Sequence, residues 1–241
     1  MIYKVTTEFE FPVRNHDFIL RPEPNGIACS TTVQSDLGQI SFARGIDSFG
    51  NITLTGREVR PHNSFIYETE FEFLSDISLS QNDSTVFSSP SKYTQISNEM
   101  KAFAARINSA EQLCSAVAEY MEYAPNTTDN NTTAAMAYSM KKGVCQDFSH
   151  ILISLLRFKG YKARYVKGFK NEITEFGTSH AWVEVFADNK WIALDPTAPN
   201  ADAAAYIKVG VGRDFADCPM ERGVFIGGGK QKVRIELKIY D

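Results

Sequence analysis

The segment Gly143-Val144-Cys145-Gln146-Asp147-Phe148-Ser149-His150, which runs into Ile151-Leu152-Ile153-Ser154-Leu155-Leu156, decides the fold. Its apolar residues recur at helical spacing as far as Gly160, which supplies a stop signal. The pattern predicts a helix that begins at or next to Cys145, after a tight turn at Gly143. The unpaired N–H groups and the helix dipole at such a position stabilise an anion and favour the thiolate of Cys145. We interpret Cys145 as a nucleophile; the alternative is an ordinary buried cysteine.

A nucleophilic cysteine needs a base, and the local sequence favours His180 over the chain's other histidines, His16, His62 and His150. Residues 179–186 alternate like a strand, Asp188 and Asn189 indicate a turn, and residues 191–196 indicate a returning strand. The three segments together predict a β-hairpin.

The register of this hairpin places His180 and Asp195 on one face. A turn centred between Asp188 and Asn189 pairs Trp182 with Asp195, so that His180 and Asp195 are diagonal neighbours about 7–8 Å apart at the backbone. The opposite face is then apolar throughout, as expected of a surface that faces a core. Its members are Ala181, Val183, Val185, Ile192 and Leu194. Read singly, His180 is also consistent with a strand end, and Asp195 with a turn before a proline.

Together the three residues suit acyl transfer. Cys145 attacks a carbonyl, His180 takes the thiol proton and returns it to the leaving group, and Asp195 fixes the imidazole tautomer. The predicted catalytic residues are therefore Cys145, His180 and Asp195.

The motifs around these residues resemble the transglutaminase-like superfamily, in particular bacterial transglutaminase-like proteins described as cysteine proteases. The matching segments are 143–148, 163–168, 179–185, 195–197 and 212–217. The resemblance implies an α+β papain-like or transglutaminase-like catalytic domain, preceded by a β-rich N-terminal region. It also implies that Cys145, His180 and Asp195 form the catalytic triad, and that Arg213 and Asp214 lie near the active site without a catalytic step of their own.

Composition excludes several classes of protein. The chain has 241 residues, a formal net charge of -4 and a pI near 5.7, so it offers no basic field for nucleic acid. The sequence has no run of like charges that would indicate a membrane-binding surface, and no apolar stretch is long enough to span a bilayer. Because the first residues lack the regions of a signal peptide, we expect a cytoplasmic protein.

The four cysteines, Cys29, Cys114, Cys145 and Cys218, include no pair at metal-ligand spacing. We expect no metal, no cofactor and no disulfide framework, and we assign Cys29 and Cys114 to the core. The glycines at 210, 212 and 227–229 lack the pattern of a phosphate-binding loop and indicate loops and turns.

The sequence of the N-terminal part predicts β-strands. Residues 2–11 alternate, the segment 47–51 indicates a hairpin turn, and residues 65–73 form another one-sided stripe. The two predicted apolar faces are Tyr3, Val5, Thr7, Phe9 and Phe11, and Phe65, Tyr67, Thr69, Phe71 and Phe73. Glu68, Glu70 and Glu72 lie on the other face and are typical of a solvated strand.

The shift to Ser, Asn and Asp after residue 75 marks a boundary. We divide the chain into a β-rich N-terminal region (1–75), a linker (76–93) and a catalytic domain (94–241). Helices are expected around 94–107, 109–123 and 134–142, and a last strand runs from Val233 to Ile239.

We therefore expect a cysteine enzyme that acts on amide bonds of peptides or proteins through a thioester, with hydrolysis as the first choice. An amine-accepting transglutaminase shares the first half-reaction, and a non-enzymatic binding module is the alternative from another class. The backbone N–H of Cys145 supplies one donor of an oxyanion hole, and a second is expected from an upstream side chain. The acyl donor and the oligomeric state stay open.

Overall fold

The computed structural model describes residues 1–72, 85–170, 179–203 and 206–238. Contacts divide the chain into two units, and the second comprises residues 80–170 and 179–218. In chain order the described strands are β1 (Ile2–Leu20), β2 (Cys29–Ser35), β3 (Gly38–Gln39), β4 (Phe42–Ile46), β5 (Ile52–Glu58), β6 (His62–Phe71), β7 (Glu122–Tyr123), β8 (Lys142–Gly143), β9 (Lys162–Phe169), β10 (His180–Ala187), β11 (Lys190–Leu194), β12 (Ile207–Gly212), β13 (Glu221–Gly227) and β14 (Gln231–Lys238). The described α-helices are α1 (Asn98–Ala104), α2 (Ala110–Tyr120), α3 (Ala134–Met140) and α4 (Cys145–Phe158).

The first unit is an antiparallel sheet centred on β1. The order is β3-β2-β6-β1-β5-β4, and β13 and β14 also pair with β1 outside this order. The predicted apolar faces are confirmed in part, since Tyr3, Val5 and Phe9 are buried. Phe11 is 60% exposed, so its assignment to that face is wrong. The pairing of β1 with β6 shifts register between residues 8 and 13, which breaks the simple alternation.

The second predicted apolar face lies on β6, and its members Phe65, Tyr67, Thr69 and Phe71 are all buried, as predicted. Phe73 and Ile239 lie outside the described residues. The glutamates of the other face are half-buried or exposed, and Glu68 forms an ion pair of 3.5 Å with Lys4. This exposure agrees with a solvated strand face.

The last two strands do not join the sheet that contains β9 and β10. β13 pairs with the second half of β1, and β14 pairs with its first half. Residues 219–241 are accordingly grouped with the N-terminal strands, although the sequence division ran the catalytic domain to residue 241. The predicted division into three consecutive regions stays a prediction. In the structure, segments of the two units alternate along the chain.

The second unit packs α4 against an antiparallel sheet of order β11-β10-β9-β12. The predicted helix is confirmed, and it ends before Gly160, which has a φ of +87°. Its apolar residues form one core with the sheet and with α1, α2 and α3. The buried members from α4 are Phe148, Ile151, Leu152, Ile153, Leu155 and Leu156. No described helix has the length and the run of apolar residues needed to cross a membrane.

The predicted linker, 76–93, falls partly on residues outside the described set. Its second half is packed rather than extended: Thr85–Ser88 form a 3-10 helix with Phe87 buried. The guanidinium of Arg157 donates to the carbonyl of Phe87 at 2.9 Å and to the hydroxyl of Thr94 at 2.8 Å. Because Arg157 also donates to the carbonyl of Ala163, it joins this segment to α4 and β9.

The register of the β10–β11 hairpin is confirmed. Val183 pairs with Leu194, and Phe186 pairs with Trp191, as a turn centred between Asp188 and Asn189 requires. Both turn residues are left-handed, with φ of 49° and 62°. This is the two-residue turn whose twist matches that of the flanking strands, and Asp and Asn tolerate it better than other residues with a Cβ.

The left-handed turn predicts an asymmetric response at Asn189. Asn189→Gly should leave the free energy of unfolding nearly unchanged, whereas Asn189→Val should lower it by about 1–2 kcal/mol because a β-branched residue disfavours positive φ. Urea denaturation of both variants measures the difference. Equal stability of the two variants would contradict the role assigned to this turn.

Candidate active site

The turn before α4 is held by a carboxylate from inside the helix. Asp147 is buried, and its Oδ2 accepts the backbone N–H of Val144 at 2.8 Å and the hydroxyl of Thr128 at 2.7 Å. A Cβ at Gly143 would lie 2.6 Å from the same oxygen, so glycine is required there for close approach. These contacts place Cys145 as the first residue of α4, as the sequence predicted.

His180 and Asp195 meet at the open end of the hairpin. His180 Nε2 lies 2.8 Å from Asp195 Oδ2, and the aspartate side chain is fully buried. The other carboxylate oxygen, Oδ1, accepts the backbone N–H of Thr197 at 2.9 Å and its hydroxyl at 2.7 Å. Asp195 is therefore fixed on one side by its own turn and presents the other side to the imidazole.

Cys145 also acts on the His180 side chain, because its thiol raises the pKa of the imidazole. Since Asp195 occupies Nε2, the nitrogen left for the thiol is Nδ1. Cys145 is half-buried. The structure thus brings together all three residues that the sequence selected.

The electrostatics of the pair favour a charged imidazole. Burial acts to lower the pKa of His180, but the hydrogen bonds to Asp195 and Cys145 outweigh it, so the pKa is raised above its usual value. Burial acts to raise the pKa of Asp195, but the hydrogen bond and charge of His180, together with Thr197, hold it well below its usual range. Asp195 therefore stays ionised and stabilises a proton on His180.

The remaining histidines are elsewhere. His16 Nδ1 and His62 Nε2 lie 3.2 Å apart in the first unit. His150 is buried in α4, where its Nε2 accepts the backbone N–H of Phe215 at 3.1 Å. Burial lowers the pKa of His150 to about 3, which keeps the ring neutral. Of the four histidines, His180 is the one whose pKa Cys145 raises, and its role as the base stays a prediction.

All four cysteines are free thiols, with Cys114 and Cys218 buried. Cys29 is only half-buried, so its assignment to the core is wrong. Arg213 pairs with Asp217, and Asp214 accepts the backbone N–H of Ala216, so both residues shape a local turn. Gly210 and Gly212, which were expected to lie in a loop, lie in strand β12. Within the described ranges no group of three or more His, Cys, Asp and Glu residues could hold a metal ion.

Sequence reasoning missed three side chains around the imidazole. The Tyr206 hydroxyl donates to Asp195 Oδ2 at 3.1 Å, and its ring lies edge-on to His180 at 5.7 Å. Trp182 stacks on His180 with ring centroids 6.2 Å apart, and Lys170 Nζ lies 3.5 Å from Asp195 Oδ2. Trp182 could have been found, because the predicted register puts it on the same face as His180 and opposite Asp195. Tyr206 and Lys170 lie outside the hairpin and give no local signal.

Tyr123 adds a hydroxyl upstream of the nucleophile. β7 pairs in parallel with β8, which places Tyr123 opposite Gly143. Its ring centroid is 6.1 Å from that of Phe148, one turn along α4 from Cys145, and 55% of the residue is exposed. Burial and then the charges of Cys145 and Asp195 raise the pKa of Tyr123, so the hydroxyl stays protonated and able to donate.

Comparisons with known proteins give a related family and a related fold. Residues 94–196 match the family model of the transglutaminase-like superfamily. Over these residues the chain resembles the transglutaminase-like superfamily. A crystal structure of a proposed cysteine protease from Cytophaga hutchinsonii aligns over 100% of this chain and 92% of that chain, with a TM-score of 0.71 and 20% identity. This likeness confirms the α+β transglutaminase-like fold with its β-rich region.

Two of the curated relatives of this chain are mycobacterial proteins. An uncharacterised protein of Mycobacterium leprae is 31% identical over 164 residues, which are 62% of this chain and 58% of that protein. An uncharacterised protein of Mycobacterium tuberculosis is 32% identical over 124 residues, which are 46% of this chain and 40% of that protein. The chain spans about half the length of the curated relatives it matches.

The Tyr206 contact predicts a shift in the titration of His180. Tyr206→Phe removes a donor from the oxygen that also binds His180, so the carboxylate interacts more strongly with imidazolium and the pKa of His180 should rise further. An NMR titration of the His180 ring measures this shift. Tyr120→Phe, which removes a tyrosine hydroxyl from α2, should leave the midpoint unchanged. A downward shift in Tyr206→Phe would refute the assignment.

Proposed function

We propose that this protein is a cysteine enzyme that cleaves amide bonds of peptides or proteins through a thioester. Cys145 Sγ attacks the carbonyl carbon while its proton passes to His180, which gives a tetrahedral oxyanion. The C–N bond then breaks, and the leaving amine takes the proton from His180. Water then gives a proton to His180 as it attacks the thioester carbonyl. The C–S bond breaks, the carboxylic acid leaves, and the Cys145 sulfur takes the proton back from His180.

The observation that supports this proposal best is the convergence of Asp195 and Cys145 on His180: Asp195 Oδ2 lies 2.8 Å from His180 Nε2, and Cys145 raises the pKa of the imidazole. Each member is positioned by a different constraint. Cys145 depends on the Asp147 turn, His180 on the hairpin register, and Asp195 on its bonds to Thr197. A binding module has no need of this convergence, which is why we favour an enzyme over the scaffold alternative.

The nucleophile is tested with para-nitrophenyl acetate. Wild type should release a burst of nitrophenolate and accumulate acetyl-Cys145, which peptide mass spectrometry detects. The ester requires the same attack by Cys145 as an amide does, but nitrophenolate is a better leaving group than an amine. Cys145→Ala should lose the burst and keep the wild-type unfolding midpoint, while Cys29→Ala should retain both. A burst that persists in Cys145→Ala would eliminate the mechanism.

The same acyl-enzyme decides between water and amine as acceptor. Adding a primary amine such as glycinamide in excess and quantifying acetate against acetylglycinamide gives the partition directly. We expect acetate to dominate. Predominant transfer to the amine would assign the protein to the transglutaminase alternative, with the first half-reaction unchanged.

Tyr123 is our candidate for the second oxyanion donor, beside the backbone N–H of Cys145. Two reagents separate this role from thiolate formation. Acetylation by para-nitrophenyl acetate passes through an oxyanion, whereas alkylation by iodoacetamide displaces iodide and forms none. Tyr123→Phe should slow acetylation of Cys145 by about 10²-fold or more and leave alkylation unchanged.

His180→Ala is the matched control for this comparison, since losing the base should slow both reactions. Equal rates of acetylation in wild type and Tyr123→Phe would remove Tyr123 from the oxyanion hole.

A further inference from the structure

Lys167 lies on the face of β9 that packs against α4. It pairs directly with Ala181, as Tyr165 pairs with Val183, and directly opposed residues of antiparallel strands share a face. Ala181, Val183 and Tyr165 are all buried members of the core that α4 covers. Lys167 is therefore a charged residue that follows the buried residues Ala163 and Tyr165 on the same face of β9.

Contacts along β9 place Lys167 at the level of Cys145. At the start of the strand, Arg157 near the end of α4 donates to the carbonyl of Ala163 at 2.8 Å. Further along, the rings of Tyr165 and His150 are 5.4 Å apart. Each step forward on β9 thus moves back along α4, so extrapolation to the next position on this face puts Lys167 opposite the first turn of the helix. The electrostatic effect of Cys145 on Lys167 agrees with this position.

The Lys167 ammonium lacks the partner that other shielded cations of this unit possess. Arg164 and Lys208 both pair with Glu184, and Lys170 pairs with Asp195. In the described part of the chain Lys167 forms no ion pair with a carboxylate, and its nearest ring contact is Phe215, with Nζ 5.9 Å from the ring centroid. The residue is only half-buried, so part of its surface is accessible.

A partly buried ammonium without a paired carboxylate is stabilised by binding an anion. Burial lowers the pKa of Lys167 to about 8, although Cys218 and Cys145 act to raise it. Near neutral pH the group is still mainly charged. A desolvated charge with no fixed counter-ion gains most from an anion that arrives with a ligand.

We propose that Lys167 forms an anion subsite beside Cys145, which selects acyl donors with a carboxylate close to the carbonyl under attack. This inference rests on the proposed role of Cys145 as nucleophile. It narrows the substrate class to acidic peptides or to peptides cleaved next to a carboxyl terminus. Lys167 is here a specificity-determining residue, while the acyl transfer itself depends on Cys145 and His180.

Iodoacetate and iodoacetamide test the subsite, because they differ by one charge and react alike. In both, the Cys145 sulfur forms a bond to carbon and iodide leaves with its electron pair. Digestion with trypsin isolates Cys145 in the peptide 143–157, apart from the other cysteines. The measured quantity is the ratio of the two alkylation rates at Cys145 near neutral pH.

Lys167→Met should lower the ratio of iodoacetate to iodoacetamide rates by about tenfold or more, since a hydrogen bond to a charged group is lost. Lys167→Arg should keep the wild-type ratio. Lys162→Met is the matched control: it removes the same charge from the same strand, roughly 16 Å away along β9, and should change the ratio by less than about twofold.

An unchanged ratio in Lys167→Met, with Cys145 reactive towards both reagents, would overturn the anion subsite and leave the nucleophile intact. An equal fall in Lys162→Met would also overturn it, because the effect would then be one of net charge. If neither reagent alkylates Cys145 in wild type, the proposed function fails and the subsite fails with it.

Discussion

The apolar contact between α4 and the β9–β10 face is the constraint on which the site depends. The helix supplies Cys145 and the sheet supplies His180, and neither element fixes the distance between them alone. Ala181, Val183 and Val185 project from β10 into the same core as Leu152 and Leu155. Close-packed protein cores tolerate little displacement of their elements. The packing therefore fixes the distance between Cys145 and His180 at the edge of the core.

β10 divides its side chains between two environments. Its odd-numbered residues face α4, while Trp182 and Glu184 share the opposite face with His180 and are buried there too. Glu184 pairs with Arg164 and Lys208, whose charges outweigh burial and lower its pKa. Removing one partner of such a group leaves a buried charge uncompensated, and a register slip would move every one of these side chains into the apolar core. The polar face therefore also opposes slippage of the register.

The parts of the site that could be predicted are those determined within one or two neighbouring elements. The helix start at Cys145 and the hairpin register follow from spacing and turn chemistry that a short window contains. The missed parts depend on distant pairings. The pairing of β13 and β14 with β1 joins the two ends of the chain, Tyr206 reaches Asp195 from outside the hairpin, and Arg157 binds Phe87 from seventy residues away. Periodicity gives no information on such pairings, because each strand or side chain would read the same with another partner.

Residue type alone could not have separated the histidines, and their surroundings show why. His16 lies among Phe9, Phe18, Phe65 and Phe225, and burial, helped by His62, lowers its pKa to about 4. At His150 the same desolvation acts without any carboxylate contact among the described residues, and the ring stays neutral. Only His180 combines burial with a bound carboxylate and a thiol, and there the direction of the shift reverses. A buried imidazole becomes a proton acceptor of use to a thiol only when a fixed anion offsets its desolvation. On that argument Asp195, more than His180 itself, distinguishes this site from the other buried histidines of the chain.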